Sequence, residues 1–486
     1  MSHIAPRSLL TQAVFGLGIV LLGASFGAGT AAVATRLGGG AAPAFLLGLA
    51  LITALGVAIV AISPVAVFVV LALFPIGSIV LPTPVFAVQT VEVAVLVVAA
   101  LVIVSRIAQG LVPLAWAPPL WWALALFAWA LVATTVAQDL ALALKQDIML
   151  LLGIVFSCVV LATLKTMHDV RRMLGVLVAV SVGLAIVAVS SGVHLSEQLG
   201  GETVSGRLTG AFNHPNQLGL FSAIGIAVAS GLAFGARTKT GRIAAAVSIP
   251  VVLMPLVLSL SRGAWIGCGL AFFYLLIALR EARRALVVLA IPVIVVAYVV
   301  GSFTPGKTDI KVVGERARAI TTLSPYDGRP AIYAEAEREI KNSPLVGVGP
   351  GNFPVAAQRA GSEAVTVYPD HAHNFWLTWA AEDGIPAAVM IAGLVIALAL
   401  VVRRASRLAA IYSSRDRAVI AGIVAALLAV LGQGFFDYLL RNAVLWMDVW
   451  GLIGALLVCT RVYGNERPET VSATTSDTSE YSSDTP

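Results

Sequence analysis

Long apolar runs alternate with short polar breaks from Thr11 to Cys459, and each run has the length of a membrane-crossing helix rather than of a strand. The runs predict spans at about 12–34, 42–62, 65–81, 87–105, 119–137, 146–164, 172–192, 215–235, 243–260, 264–280, 285–303, 373–402, 418–440 and 443–461. Backbone in lipid must satisfy its own polar groups, and no segment shows the two-residue alternation of a barrel strand. The expected fold is an all-α polytopic membrane protein of about 12–14 transmembrane helices with one large extracytoplasmic loop containing short helices. Met1 to Thr30 carries one arginine before a run too long for a leader, and reads as the first membrane helix.

The polar breaks set the orientation. With the N-terminus inside, the inside segments hold 18 Lys and Arg, the short outside segments hold 5, and the long loop holds the other 8. Such asymmetry in short loops fixes topology, and long loops are exempt from it. The chain divides into eleven helices over 1–303, an extracytoplasmic loop at 304–372, three helices over 373–462, and a tail at 463–486. In the loop, Val312 to Thr322 suits an amphipathic surface helix. Pro330 to Lys341 suits a second helix, with Pro330 in its first turn and Pro344 after its end. The tail is rich in Ser, Thr and acidic residues, cannot bury a core, and is expected to be disordered in the cytoplasm. The expected location is the cytoplasmic (inner) membrane, multi-pass, with both termini cytoplasmic.

Composition agrees with a lipid environment. Mean hydropathy is +0.94 and only 12% of residues are charged. The formal charge of +6 resides in short loops and gives no nucleic-acid signal. Cys158, Cys268 and Cys459 fall inside apolar runs and form neither a disulfide framework nor a metal motif.

Four polar clusters fall on the outer side by topology. The first runs from Arg207 through His214, Asn216 and Gly219. The second is Ser261-Arg262-Gly263-Ala264-Trp265, a tight turn between two spans. Arg262 has almost no loop to expose it, so its guanidinium needs an anion or a carboxylate, Glu382 being one option. The third is Arg329 at the start of the loop helix, where charge and helix dipole add. The fourth is His371-Ala372-His373-Asn374, which leads into the span that also carries Glu382 and Asp383. Two such arginines suit a diphosphate, which takes bidentate guanidinium contacts. His373 can take a proton from a hydroxyl near neutral pH, with Asn374 and Glu382 orienting it or the substrate. The histidines His371, His373 and His214 with Glu382 can alternatively bind zinc; the x-His-x-His pair is common without metal, and no metal is expected.

In order and spacing these clusters resemble the O-antigen ligase and polymerase superfamily of bacterial membrane glycan transferases. The matching segments are Gly210-Ala211-Phe212-Asn213-His214-Pro215-Asn216 with Leu218-Gly219; Ser261 to Trp265; Arg329 with Tyr333 and Pro344 through Gly349; and His371 to Asn374 with Glu382 and Gly384. The resemblance spans about residues 205–390 and excludes the first five helices and the tail. Pro386 stands where the family leads one to expect glycine, and Phe375-Trp376 is bulkier than usual, which bears on substrate shape. The resemblance implies a metal-independent, inverting transferase without a cofactor. It implies a polyprenyl-diphosphate-linked glycan donor, a glycan, lipid or protein acceptor, and the lipid bilayer as partners, with no nucleic acid. It puts essential roles on Arg262, Arg329 and His373, beside binding positions at Arg207, His214, Asn216, His371, Asn374 and Glu382. It does not separate a ligase from a polymerase. A secondary transporter, which needs midplane charges and broken helices, and a non-catalytic scaffold for polysaccharide export are the competing classes.

Overall fold

The computed structural model describes residues 65–77, 79–81, 88–191, 194–199, 202–279, 283, 328–362 and 371–465. The expected spans 12–34, 42–62 and 285–303, the surface helix at 312–322 and the tail from 466 onward lie outside them. Among the described residues the fold is all-α and polytopic, and eight helices are long and apolar enough to cross a membrane.

The chain begins with α1 (Val65–Ala72) and α2 (Phe74–Gly77), then a short ribbon of β1 (Val80–Leu81) and β2 (Val88–Gln89). The helices α3 (Thr90–Ala108), α4 (Leu120–Thr134), α5 (Leu140–Thr163) and α6 (Met167–Ser191) follow. An antiparallel hairpin of β3 (His194–Leu199) and β4 (Glu202–Leu208) comes next. Then come α7 (Pro215–Gly235), α8 (Lys239–Leu258) and α9 (Arg262–Ala278). The outer segment supplies α10 (Arg329–Asn342) and α11 (Phe353–Arg359); α12 (Phe375–Glu382), α13 (Gly384–Tyr412), α14 (Ser414–Gly434), a 3-10 turn at Leu439–Arg441 and α15 (Ala443–Asn465) complete the fold.

Starts are set by side chains that take the first unpaired N–H groups. Asp139 accepts from Leu142 N at α5, Thr238 from Gly241 N at α8, and Ser413 from Asp416 N at α14. With no hydrophobic force between helices in lipid, close packing of small residues brings them together. A Cβ on Gly231 of α7 would lie 2.6 Å from Gly422 Cα of α14, and one on Gly267 of α9 would lie 2.5 Å from the Ala429 carbonyl oxygen of α14. α14 is thereby clasped between α7 and α9. α15 packs on α5, where the Trp446 indole donates to the Met149 carbonyl at 2.7 Å.

Two expectations change. The expected span 373–402 is two helices, α12 and α13, broken at Asp383-Gly384. Gly384 sits at φ +82, and a Cβ there would lie 1.9 Å from the Leu345 carbonyl oxygen, so the helix breaks against the outer loop instead of continuing. The polar stretch before α7 includes β4, because its backbone groups are paired to β3 as a local hairpin.

The four polar clusters gather at one end of the bundle. There the starts of α5, α7, α9 and α15 meet the ends of α6, α8 and α14: Asp139 N donates to Asn352, Gly210 abuts Ala188, Arg207 reaches Ser259, and Ala443 N donates to Gln89. The opposite end holds other charges, namely the Arg171–Asp416 ion pair, Arg417 on the Ala278 carbonyl and Arg461 on the Leu161 carbonyl.

Candidate functional site

Asp437 is the centre of the polar end. It follows α14 on a segment that turns the chain toward α15, and its side chain is 97% buried. Its Oδ1 accepts three N–H groups: His371 Nε2 at 2.9 Å, His373 Nδ1 at 2.9 Å and its neighbour Tyr438 N at 2.9 Å. Its Oδ2 accepts from the Asn216 amide at 2.8 Å. The Asn216 oxygen in turn accepts from Arg207 Nη2 at 2.6 Å, and Arg207 Nε donates to the Ser259 carbonyl at 3.1 Å. One hydrogen-bonded chain thus runs from Arg207 on β4 through Asn216 on α7 to Asp437 and both histidines.

Electrostatics fix the protons in this chain. Burial alone raises a carboxyl, but the hydrogen bonds from His371 and His373 hold Asp437 well below the usual carboxylate range. An ionised Asp437 only accepts, so the proton of His371 sits on Nε2 and that of His373 on Nδ1. His373 therefore presents Nε2 as its basic nitrogen. Burial pushes the His371 imidazole down to about 4, with Asp437 pulling the other way, so His371 is a neutral support. The two rings lie 4.4 Å apart between centroids.

The backbone marks the same places. Among the described residues only Leu260 (φ 52) and His373 (φ 47) have positive φ without being glycine. Left-handed backbone at a bulky residue is costly and persists where the surroundings over-determine it, often at functional sites. One of the two is His373 itself, and the other lies two residues before Arg262.

Arg262 is the first residue of α9, after Ser261, whose hydroxyl accepts from Ala264 N. The adjacent Gly263 packs against Gln433 and Phe436, which brings the start of α9 beside Asp437. Arg329 opens α10, and Tyr333, one turn later on the same face, donates to the His373 carbonyl at 3.4 Å. Both arginines thus stand at the N-termini of helices that contact the segments bearing Asp437 and His373.

The remaining expected site residues serve the framework around it. His214 caps α7, its Nδ1 accepting from Asn216 N. Asn374 caps α12 by accepting from Trp376 N and Leu377 N, and its amide ties that helix to the Phe435 carbonyl. Glu382 lies at the far end of α12 from His373. Its oxygens accept from Gly351 N at 2.9 Å and Phe353 N at 3.4 Å, and it pairs with Arg441, not with Arg262 as the sequence had suggested. Glu382 thereby anchors the glycine-rich turn over 347–351, in which Gly347, Gly349 and Gly351 all have positive φ. Sequence reasoning missed Asp437 and Gln433, although both stood inside an expected span, where a polar group is itself a functional signal.

Two further properties bear on chemistry. One ligand atom each of His371, His373 and Asp437 lie within 4.8 Å of one another, a set that can hold a divalent metal. Below the cluster an apolar cavity of about 190 Å³ extends between α13, α14 and α15; Phe375, Trp379, Leu394, Leu427 and Ile453 line it, with Gln433 and Asp437.

Residues 246–392 match the family model described as O-antigen ligase. This stretch is an O-antigen ligase domain. No curated protein matches the chain at a significant level. The domain holds Arg262, Arg329, His371, His373, Asn374 and Glu382, while Arg207, His214, Asn216 and Asp437 lie outside it and join the cluster from flanking segments. The match makes this stretch similar to the O-antigen ligase family, and the apolar helices among the described residues are those of a multi-pass membrane protein.

Proposed function

We propose that the protein is a membrane glycosyltransferase that moves a glycan from a polyprenyl diphosphate to an acceptor hydroxyl on the outer side of the cytoplasmic membrane. The carrying observation is the Asp437 oxygen shared by His371 and His373, with His373 held at positive φ. In this mechanism the acceptor hydroxyl attacks the anomeric carbon and gives its proton to His373 Nε2. The bond between that carbon and the diphosphate oxygen breaks, and the carrier leaves as its diphosphate. Asp437 keeps the imidazole in the required tautomer and stabilises the imidazolium that forms, as a buried carboxylate does for a catalytic histidine. Arg262 and Arg329 hold the diphosphate and stabilise charge as it develops on the leaving group. The apolar cavity beside Asp437 offers the carrier's isoprenoid chain a place next to the chemistry.

The test is transfer by purified protein from a defined lipid-linked glycan, with donor binding read separately. His373→Ala should lower transfer by roughly 10²–10⁴-fold and leave donor binding nearly intact. Transfer unimpaired in that variant removes the base. The metal alternative is decided in the same assay: loss of transfer with a chelator, restored by zinc, would make the histidines and Asp437 ligands instead.

A further inference from the structure

The end of the bundle opposite the histidine cluster carries an unbalanced group of cations. Arg106 lies in the last turn of α3, Lys165 just beyond α5, and Arg461 near the end of α15. All three helices are membrane spans that pack side by side and end at this face. The side chains of the three residues bond backbone carbonyls, not carboxylates. Arg461 donates through Nη1 to Leu161 O at 2.7 Å and through Nη2 to Leu164 O. Lys165 Nζ donates to Ala162 O, and Arg106 Nε to Val112 O at 2.7 Å.

These charges are close enough to act on one another. Partial burial and then the Arg461 and Arg106 charges lower the Lys165 pKa, with Asp169 the opposing carboxylate. Asp169 is committed elsewhere, because its Oδ2 accepts from Lys165 N, Thr166 N and the Thr166 hydroxyl at the start of α6. Capping of α5 by cations accounts for part of the group, since a helix C-terminus presents roughly half a negative charge. With the half-charges of the α3, α5 and α15 C-termini and one carboxylate set against them, the three full cations keep a positive excess of about half a charge among the described residues.

We propose that Arg106, Lys165 and Arg461 form a binding site for the phosphodiester headgroup of an anionic phospholipid. The three membrane-length helices end together here, and long basic side chains at span ends reach to the headgroups while their stems stay in the apolar layer. The positive-inside count makes this the cytoplasmic leaflet, where clefts lined by basic residues between membrane helices take anionic headgroups. The site lies one full membrane span from Asp437, so the inference is independent of the glycosyl-transfer reading.

The experiment titrates the full-length protein in mild detergent with dioleoylphosphatidylglycerol, and in parallel with dioleoylphosphatidylcholine and inorganic phosphate, counting bound lipid by native mass spectrometry. Arg106→Gln/Lys165→Gln should weaken the tightest phosphatidylglycerol site by roughly 25-fold, about fivefold per charge. Arg106→Lys/Lys165→Arg keeps the charge and should bind like wild type. Should the double Gln variant not fold, Lys165→Gln alone is read for its fivefold share. Equal phosphatidylglycerol affinity in wild type and Gln variants overturns the site. Equal affinity for phosphatidylcholine overturns the anionic selectivity. Displacement of the lipid by millimolar inorganic phosphate would reassign the site to a free anion.

Discussion

Replacing Asp437 by Asn is the sharpest single perturbation of this site, because every atom of its carboxylate is engaged. Oδ1 accepts three N–H groups, so that position must stay a carbonyl oxygen and the new amide nitrogen must fall at Oδ2. There it faces the Asn216 amide across 2.8 Å, donor against donor. Flipping Asn216 relieves this contact only by turning its nitrogen toward Arg207 Nη2, now 2.6 Å from its oxygen. One donor–donor clash therefore survives in either arrangement. The tautomer of His373 is kept, but the charge that stabilises its imidazolium is gone. We expect a rate loss of about 10²–10⁴-fold, the share general-base catalysis supplies, which is about 2.7–5.4 kcal/mol of transition-state stabilisation. The assay is single-turnover transfer from a purified lipid-linked glycan, with donor affinity measured on the same preparation. Donor affinity should be nearly unchanged, since the arginines carry the diphosphate. Transfer within about threefold of wild type, under 1 kcal/mol, would refute the carboxylate–imidazole pair. A parallel collapse of donor binding would show that Asp437 acts only through the framework.

Arg262→Lys should lose most transfer while the protein still inserts, because an ammonium cannot present the two-pronged contact of a guanidinium; near-normal turnover would reduce Arg262 to a point charge. His371 is held at about 4 by burial against an ordinary 6.5, so the folded state favours its neutral form. Stability is full above pH 6.5 and should fall as pH drops from 6.5 toward 4; a His371→Gln variant should flatten that part of the melting-temperature profile, and an unchanged slope would assign it to another group. Lys341 is exposed on α10, so a cysteine there should react with an impermeant maleimide in intact cells; labelling only after lysis would invert the topology and place the site in the cytoplasm.

Much of this site was readable from linear pattern because its arginines and histidines interrupt apolar runs. Arg262 stood out by having no loop around it, and His373 by standing where a polar segment enters a span. Both readings depend only on neighbours in sequence. The partners of Glu382 were hidden for the same reason. As part of one continuous span it lay on a helix below His373, within reach of a shared pocket. The break at Gly384 is imposed by the Leu345 carbonyl of a distant loop, and the partners of Glu382 come from 351, 353 and 441. No local pattern carries that information.

Asp437 shows where sequence reasoning stops at this candidate site. Linear pattern shows a carboxylate after two phenylalanines near the end of an expected span, which fits an ordinary helix end. Its meaning comes from residues 64 and 66 positions earlier that reach the same oxygen, and from one 221 positions earlier on the other. The small-residue contacts between α7 and α14 bring these segments together. Gly231 and Gly422 let the two backbones touch, and this contact brings Asn216 at the head of α7 to Asp437 at the foot of α14. The helix packing and the geometry of the cluster therefore share a cause. A side chain at Gly231 would separate α7 from α14, the two helices that carry the Asn216–Asp437 hydrogen bond at their other ends.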